Sequence, residues 1–441
     1  MPAPLFVRAL ARAFLAGQPT VDQIVARGSR ALGRPWRWLR PLAQRYVEHI
    51  EGRVRLRRRD AIQFLRADPG VERAEARYRH ELSVADWLTE PQLMQPVFAA
   101  GKWDLPPLES AGALRDWLRL NPGELEWFAD LWRLGSRNDC PKLRHYYYRV
   151  LAKRSGGLRL IEAPKQRMKQ LQRMIVTRIL ARIPPHPAAH GFIPGRSIRT
   201  FAAPHLGRRV VVRMDLRDFF PSISGARIQA LFRTLGYPEP VADLLGGICV
   251  NVTPRSVWKT DLLEVPPRIF IEARTLYARP HLPQGAPTSP ALSNLCAYRV
   301  DCRLAGLAQS SGARYTRYAD DLAFSGGEAF ERGAERFSTH VSAILREEGF
   351  AAHHRKTRIM RQGVRQHLAG LVVNERMNIR RDHFDRLKAI LNNCVRLGPE
   401  TQNREAHSDF RSHLEGRVAY VETVNPARGG RLRVIFNRIE W

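Results

Sequence analysis

Two aspartates, Asp320 and Asp321, stand side by side between the strand-forming runs Tyr315-Thr316-Arg317-Tyr318 and Leu322-Ala323-Phe324. Adjacent carboxylates repel, so a chain keeps such a pair at a tight turn only where water or a cation neutralises it. Upstream, Val210-Val211-Val212-Arg213-Met214-Asp215 carries a third carboxylate at the end of a β-branched run. A run this apolar reads as a buried strand, and its carboxyl end is where α/β architectures place reactive groups. Pro221 is expected to terminate that strand. A lone Asp-Asp turn is ordinarily a solvated loop; the β-runs on both sides and the Asp215 strand argue otherwise. The pattern points to an α/β (α+β) fold in which one strand and a neighbouring hairpin bring three acids together.

Hard oxygen donors suit magnesium, with manganese as a substitute. One carboxylate on a strand and two on a hairpin form the minimum cage for two such ions, with Asp215, Asp320 and Asp321 as ligands. In two-metal chemistry one ion activates a hydroxyl nucleophile, and the other stabilises the phosphate and its leaving group.

The charge agrees with a phosphate-rich partner. Lys and Arg number 72 against 42 Asp and Glu, a formal net charge of +30. Such an excess attracts polyanions, and arginine adds bidentate phosphate contacts. A GC-rich coding sequence would also favour arginine, so charge alone makes nucleic acid only the favoured partner. The five cysteines form no C-x-x-C pair and have no histidine in zinc spacing, and they read as reduced thiols of a cytoplasmic protein. Leu5–Leu15 is interrupted by Arg8 and Arg12 and lacks the form of a signal peptide; no segment is long enough to cross a bilayer.

Residues 1–125 read as a mainly helical extension, with apolar positions at three- and four-residue spacing in Leu5–Leu15, Leu39–Ile50 and Leu114–Leu120. Trp36 and Trp38, set among Arg34, Arg37 and Arg40 and followed by the basic run Arg53–Arg59, either stack on unpaired bases or anchor a core. Asn121-Pro122-Gly123 breaks the chain before a helix expected over Trp127–Trp132. From Tyr146 the chain reads as short strands, turns and helices. A hairpin comes first, Tyr147–Lys153 and Leu158–Ile161 about Ser155-Gly156-Gly157, and a helix follows over Gln166–Ile183. Residues 375–441 are basic and helical.

Several motifs occur in one order. Tyr318-Ala319-Asp320-Asp321 resembles the Y-A-D-D signature of reverse transcriptases, and Asp215 with Phe219-Phe220 resembles their first palm motif. Leu282-Pro283-Gln284-Gly285-Ala286-Pro287-Thr288-Ser289-Pro290 is similar to their L-P-Q-G…S-P motif. The resemblance runs from about Tyr146 to the C-terminus. It implies a right-hand polymerase: fingers and palm over 126–374, a helical thumb over 375–441, and the helical extension in front. In their own right, Gly285 permits close backbone approach, Gln284 offers both a donor and an acceptor, Ser289 can cap a helix and Pro290 suits its first turn.

The resemblance further implies roles. The Leu216 carbonyl adds a metal ligand, and Gln284 and Gly285 meet the incoming nucleotide and template. Phe220 excludes a ribose 2′-hydroxyl, with Phe219 and Asp218 in the same nucleotide-binding segment; one of the two phenylalanines must be core. Lys153, Arg154 and Arg159 hold the triphosphate. Gly191, Phe192, Gly195, Arg196 and Tyr318 face template and primer. Gly370 and Leu371 belong to a primer-grip hairpin, and Lys356 protonates pyrophosphate as it leaves. Details within these motifs, among them Ala286-Pro287-Thr288 and Arg317-Tyr318, resemble bacterial retron enzymes. That implies a structured RNA template, nascent DNA, dNTPs and an effector or toxin protein as partners, with a branched RNA–DNA product (msDNA) used in phage defence. Two departures stand out: Phe201 replaces the asparagine of an N-A-x-x-H element that ends at His205, and Leu368-Ala369-Gly370 replaces V-T-G. A non-retron defence enzyme, a group II intron protein, an RNA polymerase and a catalytically silent RNA-binding scaffold are the rival readings.

Overall fold

The computed structural model describes residues 4–51, 57–88, 98–137, 140–153, 156–258 and 265–441. Most of the basic run Arg53–Arg59, and Arg154 and Ser155 of the first hairpin, lie outside those residues. The chain divides into two compact units, Met1–Pro184 with Phe220–Cys296, and Pro185–Phe219 with Ala297–Trp441. Helices and antiparallel sheets make up both, so the fold class is the mixed one expected.

In the first unit, amphipathic helices Leu5–Leu15, Val21–Ala31 and Leu39–Ile50 bury Phe6, Leu10, Phe14, Ile24, Leu39 and Tyr46 in one apolar cluster. Trp36 belongs to that cluster and Trp38 packs against it, with the Arg34 guanidinium 3.8 Å from the centre of the Trp36 ring. The tryptophans are therefore core anchors, and the base-stacking alternative falls away. Gly123, with φ of 84°, opens a helix over Glu124–Ala129, and Asp130 in the left-handed region ends it. This helix lies earlier than the expected Trp127–Trp132, because the turn at Asp130 stops it.

Strands β1 (Tyr146–Ala152) and β2 (Leu158–Pro164) form the expected hairpin, with Ala152 paired to Leu158. The Lys153 amide donates to the Gly157 carbonyl at 2.9 Å, and the Gly156 amide to the Lys153 carbonyl at 2.9 Å, which closes the turn. The following helix runs Gln166–Arg178 and tightens into a 3₁₀ turn, Leu180–Arg182.

The second unit holds a four-stranded antiparallel sheet built from β3 (Val210–Asp215), β4 (Arg314–Tyr318), β5 (Asp321–Gly326) and β6 (Arg358–Arg361), in the order β4-β5-β3-β6. β3 stops at Asp215, and Pro221 sits in a helical turn, Phe219–Ser222, so the strand ends before the proline expected to end it. The turn begins after Asp218, whose φ of 49° redirects the backbone. A second, small sheet contains β7 (His367–Leu368), β8 (Leu371–Val372) and β9 (Asn378–Ile379). Helices Arg381–Leu397, Phe410–Val424 and Pro426–Phe436 follow, sharing a core of Leu387, Leu391, Leu414, Val418 and Leu432.

His205 ties the Ile198–Ala202 helix region to this sheet. It is fully buried, with Nε2 2.8 Å from Thr316 Oγ1 and Nδ1 2.7 Å from Ser325 Oγ. The Thr316 hydroxyl donates to the Phe201 carbonyl at 2.9 Å, so it accepts from Nε2–H, and Nδ1 is left to accept from Ser325. That tautomer is neutral. Burial, reinforced by the positive charges of His190, Arg208 and Arg314, pushes the imidazole pKa down to about 3.

A histidine held neutral in the fold charges freely in the unfolded chain, so its contribution is complete above about pH 6.5 and is lost as pH falls toward 3. Urea unfolding across that range should lose about 1.4 kcal/mol per pH unit from this group. His205→Asn should flatten the acid limb by that slope; an unchanged slope would contradict the neutral, buried assignment.

Candidate active site

The antiparallel register sets Asp215 directly opposite Asp321 on β3 and β5. Tyr318 pairs with Asp321 at the end of the β4–β5 hairpin, which leaves Ala319 and Asp320 as its two-residue turn. All three acids therefore meet at one end of the sheet. Burial first, and then the charges of Asp215 and Asp321, push the Asp320 carboxyl up to about 6.

Two cations lie within this cluster. Lys356, on a 3₁₀ turn His354–Lys356, places Nζ 3.0 and 3.1 Å from the two Asp215 carboxylate oxygens. Arg213 donates from Nε and Nη2 to Asp321 Oδ1 at 3.0 and 2.8 Å. Arg213 was not singled out from sequence, although it lies two residues before Asp215 and so on the same face of β3. Among the described residues no group of three His, Cys, Asp or Glu side chains stands ready as an ion cage, and Asp215 and Asp321 face Lys356 and Arg213. The donor set still fits hard divalent ions: it is all oxygen, and three carboxylates outnumber the two cations that face them.

The turn itself is held from several sides. Ala319 adopts a φ of 54°, a region that costs a non-glycine residue energy and persists only where its surroundings enforce it. A side chain at Gly191 would bring Cβ to 2.6 Å from the Ala319 amide nitrogen, so glycine is what lets these segments touch. The Arg317 guanidinium donates to the Ala319 carbonyl at 3.1 Å and to both Asp301 oxygens at 2.8 and 2.6 Å, with both side chains fully buried. The Leu216 amide donates to the Asp320 carbonyl at 2.9 Å, and the His353 amide to that of Asp215 at 2.7 Å.

Other expected site residues fall as follows. In the same unit, Phe192 is 48 % exposed with its ring 6.5 Å from Tyr318, and Arg196 donates to the carbonyls of Pro187 and Ala189 at 2.5 Å. Gly195 turns with φ of 74°. Asp218 lies 3.5 Å from Arg217 Nε. Phe219 is the core member of its pair, packed 5.8 Å from the Phe350 ring, while Phe220 is half-buried. Leu368 pairs with Leu371 across Ala369 and Gly370, both at positive φ; Leu371 is fully buried and Gly370 exposed. Phe220, Lys153, Arg159, Gln284 and Gly285 belong to the other unit. There Arg159 is exposed on β2, and the Gln284 carbonyl accepts from the Glu162 amide at 2.9 Å. An added Cβ at Gly285 would meet the Glu162 carbonyl oxygen at 2.7 Å, so this glycine answers to the protein's own backbone. The Ser289 hydroxyl donates back to the Pro283 carbonyl at 2.7 Å, inside the first turn of helix Ser289–Cys296 rather than capping it.

A family model described as "Reverse transcriptase (RNA-dependent DNA polymerase)" matches residues 151–381. The chain belongs to the reverse transcriptase family. It is 43% identical over 294 residues to the Retron Mx65 reverse transcriptase of Myxococcus xanthus, a match covering 66% of this chain and 64% of that protein. It is 35% identical to the Retron Mx162 reverse transcriptase of the same organism, covering 82% of this chain and 71% of the relative. To the Retron Ec86 reverse transcriptase of Escherichia coli it is 27% identical, over 67% of this chain and 82% of the relative. This reverse transcriptase is thus of the bacterial retron type. Among its described residues no helix is long and apolar enough to cross a membrane.

Removing one partner of the buried Arg317–Asp301 pair leaves an uncompensated charge, which typically costs about 3–5 kcal/mol. Asp301→Asn should therefore shift the denaturant midpoint strongly downward and disorder the Ala319–Asp320 turn. A midpoint within experimental error of wild type would show that the pair does not support the turn.

Proposed function

We propose that this chain is an RNA-directed DNA polymerase working within a retron, copying a structured noncoding RNA into msDNA, in the cytoplasm and for anti-phage defence. The observation that carries the polymerase reading is the meeting of Asp215, Asp320 and Asp321 at one end of the sheet. The retron names of its relatives support the narrower part. An effector or toxin protein completes the set of partners this reading adds.

Two magnesium ions, for which manganese would substitute, would activate a primer 3′-hydroxyl and neutralise the triphosphate. Asp215, Asp320, Asp321 and the Leu216 carbonyl would hold them. Lys356 would then turn from Asp215 toward the leaving pyrophosphate and give it a proton. Lys153 and Arg159 would bind the triphosphate, with Asp218, Gln284 and Gly285 at the nucleotide. Phe220 would exclude a 2′-hydroxyl, with Phe219 supporting it from the core. Gly191, Phe192, Gly195, Arg196, Tyr318 and Gly370 would meet template and primer, with Leu371 fixing the primer-grip turn from beneath. In this scheme residues 126–374 act as fingers and palm, 375–441 as thumb, and 1–125 as an accessory domain.

Asp320→Asn should abolish primer extension while leaving affinity for RNA within about twofold of wild type, since it removes a metal ligand and no phosphate contact. Loss of RNA binding or of folding would contradict the assignment. Phe220→Val should raise ribonucleotide use relative to deoxynucleotide use by about tenfold or more; unchanged discrimination would remove Phe220 from that role. Protein purified from its native cells should carry a DNA species of constant length with a co-purifying RNA. Heterogeneous RNA alone would leave the polymerase and exclude the retron.

A further inference from the structure

Glu162 is the one acid in the alternating strand Leu158–Pro164, and it sits on the inward phase of that strand, fully buried. A carboxylate there is costly unless its oxygens are fully engaged. They are. Oε1 accepts from Asn251 Nδ2 at 2.7 Å and from Thr253 Oγ1 at 3.2 Å, and Oε2 lies 2.9 Å from His281 Nε2. His281 is buried as well, and its Nδ1 lies 2.6 Å from the Arg279 carbonyl, which can only accept. Nδ1 therefore carries a proton and Nε2 faces the carboxylate, the geometry of an imidazolium–carboxylate pair. Burial opposes charge on His281, but Glu162 outweighs it, and the pKa is raised.

This pair lies at the base of the Gln284–Gly285 turn. His281 begins the segment: its amide and carbonyl bond with those of Asn251 at 3.1 and 3.0 Å, and the Leu282 amide donates to the Ile223 carbonyl at 3.2 Å. Three residues on, the Gln284 carbonyl accepts from the Glu162 amide, and Gly285 lies so close to the Glu162 carbonyl that no side chain fits. The residue whose carboxylate is locked by His281 is thus the residue whose backbone fixes the turn.

We propose that Glu162 and His281 are positioning residues that hold Gln284 in register for the incoming nucleotide. The proposal rests on the reading of Gln284 as a nucleotide contact. It assigns the pair no contact with substrate and no part in the chemical step, so its effect falls on nucleotide affinity.

The test is steady-state incorporation of one dNTP on an RNA template by the full chain. Gln284→Ala and Glu162→Gln should each raise KM for the dNTP by about tenfold with kcat within about twofold. The double variant should do no more than Gln284→Ala alone, because both changes act through one side chain. An ordinary loss of stability would not produce that ceiling. If Gln284→Ala raises KM and Glu162→Gln does not, the positioning role is overturned while the reading of Gln284 survives. Multiplying effects in the double variant would also overturn it. If Gln284→Ala leaves KM unchanged, both fail together. Should Glu162→Gln not fold, His281→Gln is read by the same criteria.

Discussion

Pairing β3 with β5 in antiparallel register puts Asp215 and Asp321 opposite each other, and the β4–β5 turn then delivers Asp320 to the same place. Three negative charges so close to one another, partly withdrawn from water, repel strongly, and the rest of the second unit can be understood as the means of tolerating them. Lys356 and Arg213 neutralise Asp215 and Asp321 by direct contact. Among the described residues Asp320 has no such direct partner, and burial first, then the neighbouring carboxylates, push its pKa up. That repulsion is the property a divalent cation would relieve.

Holding the charges requires a rigid frame. The left-handed Ala319 is clamped by Gly191 on one side and by the Arg317–Asp301 pair on another. Behind the turn, His205 connects Thr316 of β4 with Ser325 of β5 through a neutral imidazole. The Phe201 carbonyl ends that chain of hydrogen bonds, and the Phe201 ring packs 5.8 Å from Tyr318. A phenylalanine where the family's motif has asparagine is thus absorbed into the core beneath the turn. The backbone at this position still supplies the acceptor the network needs.

Much of this was legible in the sequence because it depends on local pattern. β3 follows from its continuous apolar, β-branched run, and the glycine-rich hairpin before Leu158 and the acidic turn follow from turn chemistry between strand-forming runs. The core role of one phenylalanine at 219–220 followed from volume alone. What escaped depends on partners distant in sequence. Arg213 was visible as a charge in an apolar strand, but its partner Asp321 lies 108 residues away. Glu162 escaped as well, because the strand expected to end at Ile161 runs on to Pro164 and its partner His281 lies 119 residues away. The compact units also escaped, since each is assembled from two separate stretches of chain. Pro221 misled because the backbone already turns at Asp218, whose φ of 49° lies in the left-handed region that aspartate tolerates better than most non-glycine residues.

Whether Asp215, Asp320 and Asp321 form a polymerase centre is decided by extension of a DNA primer annealed to RNA, using the purified full chain, four dNTPs and magnesium. The expected result is a full-length product that DNase destroys and RNase spares, and that does not form when EDTA has removed the metal. A folded protein that binds the primer–template but adds no nucleotide, with magnesium or with manganese, would contradict it.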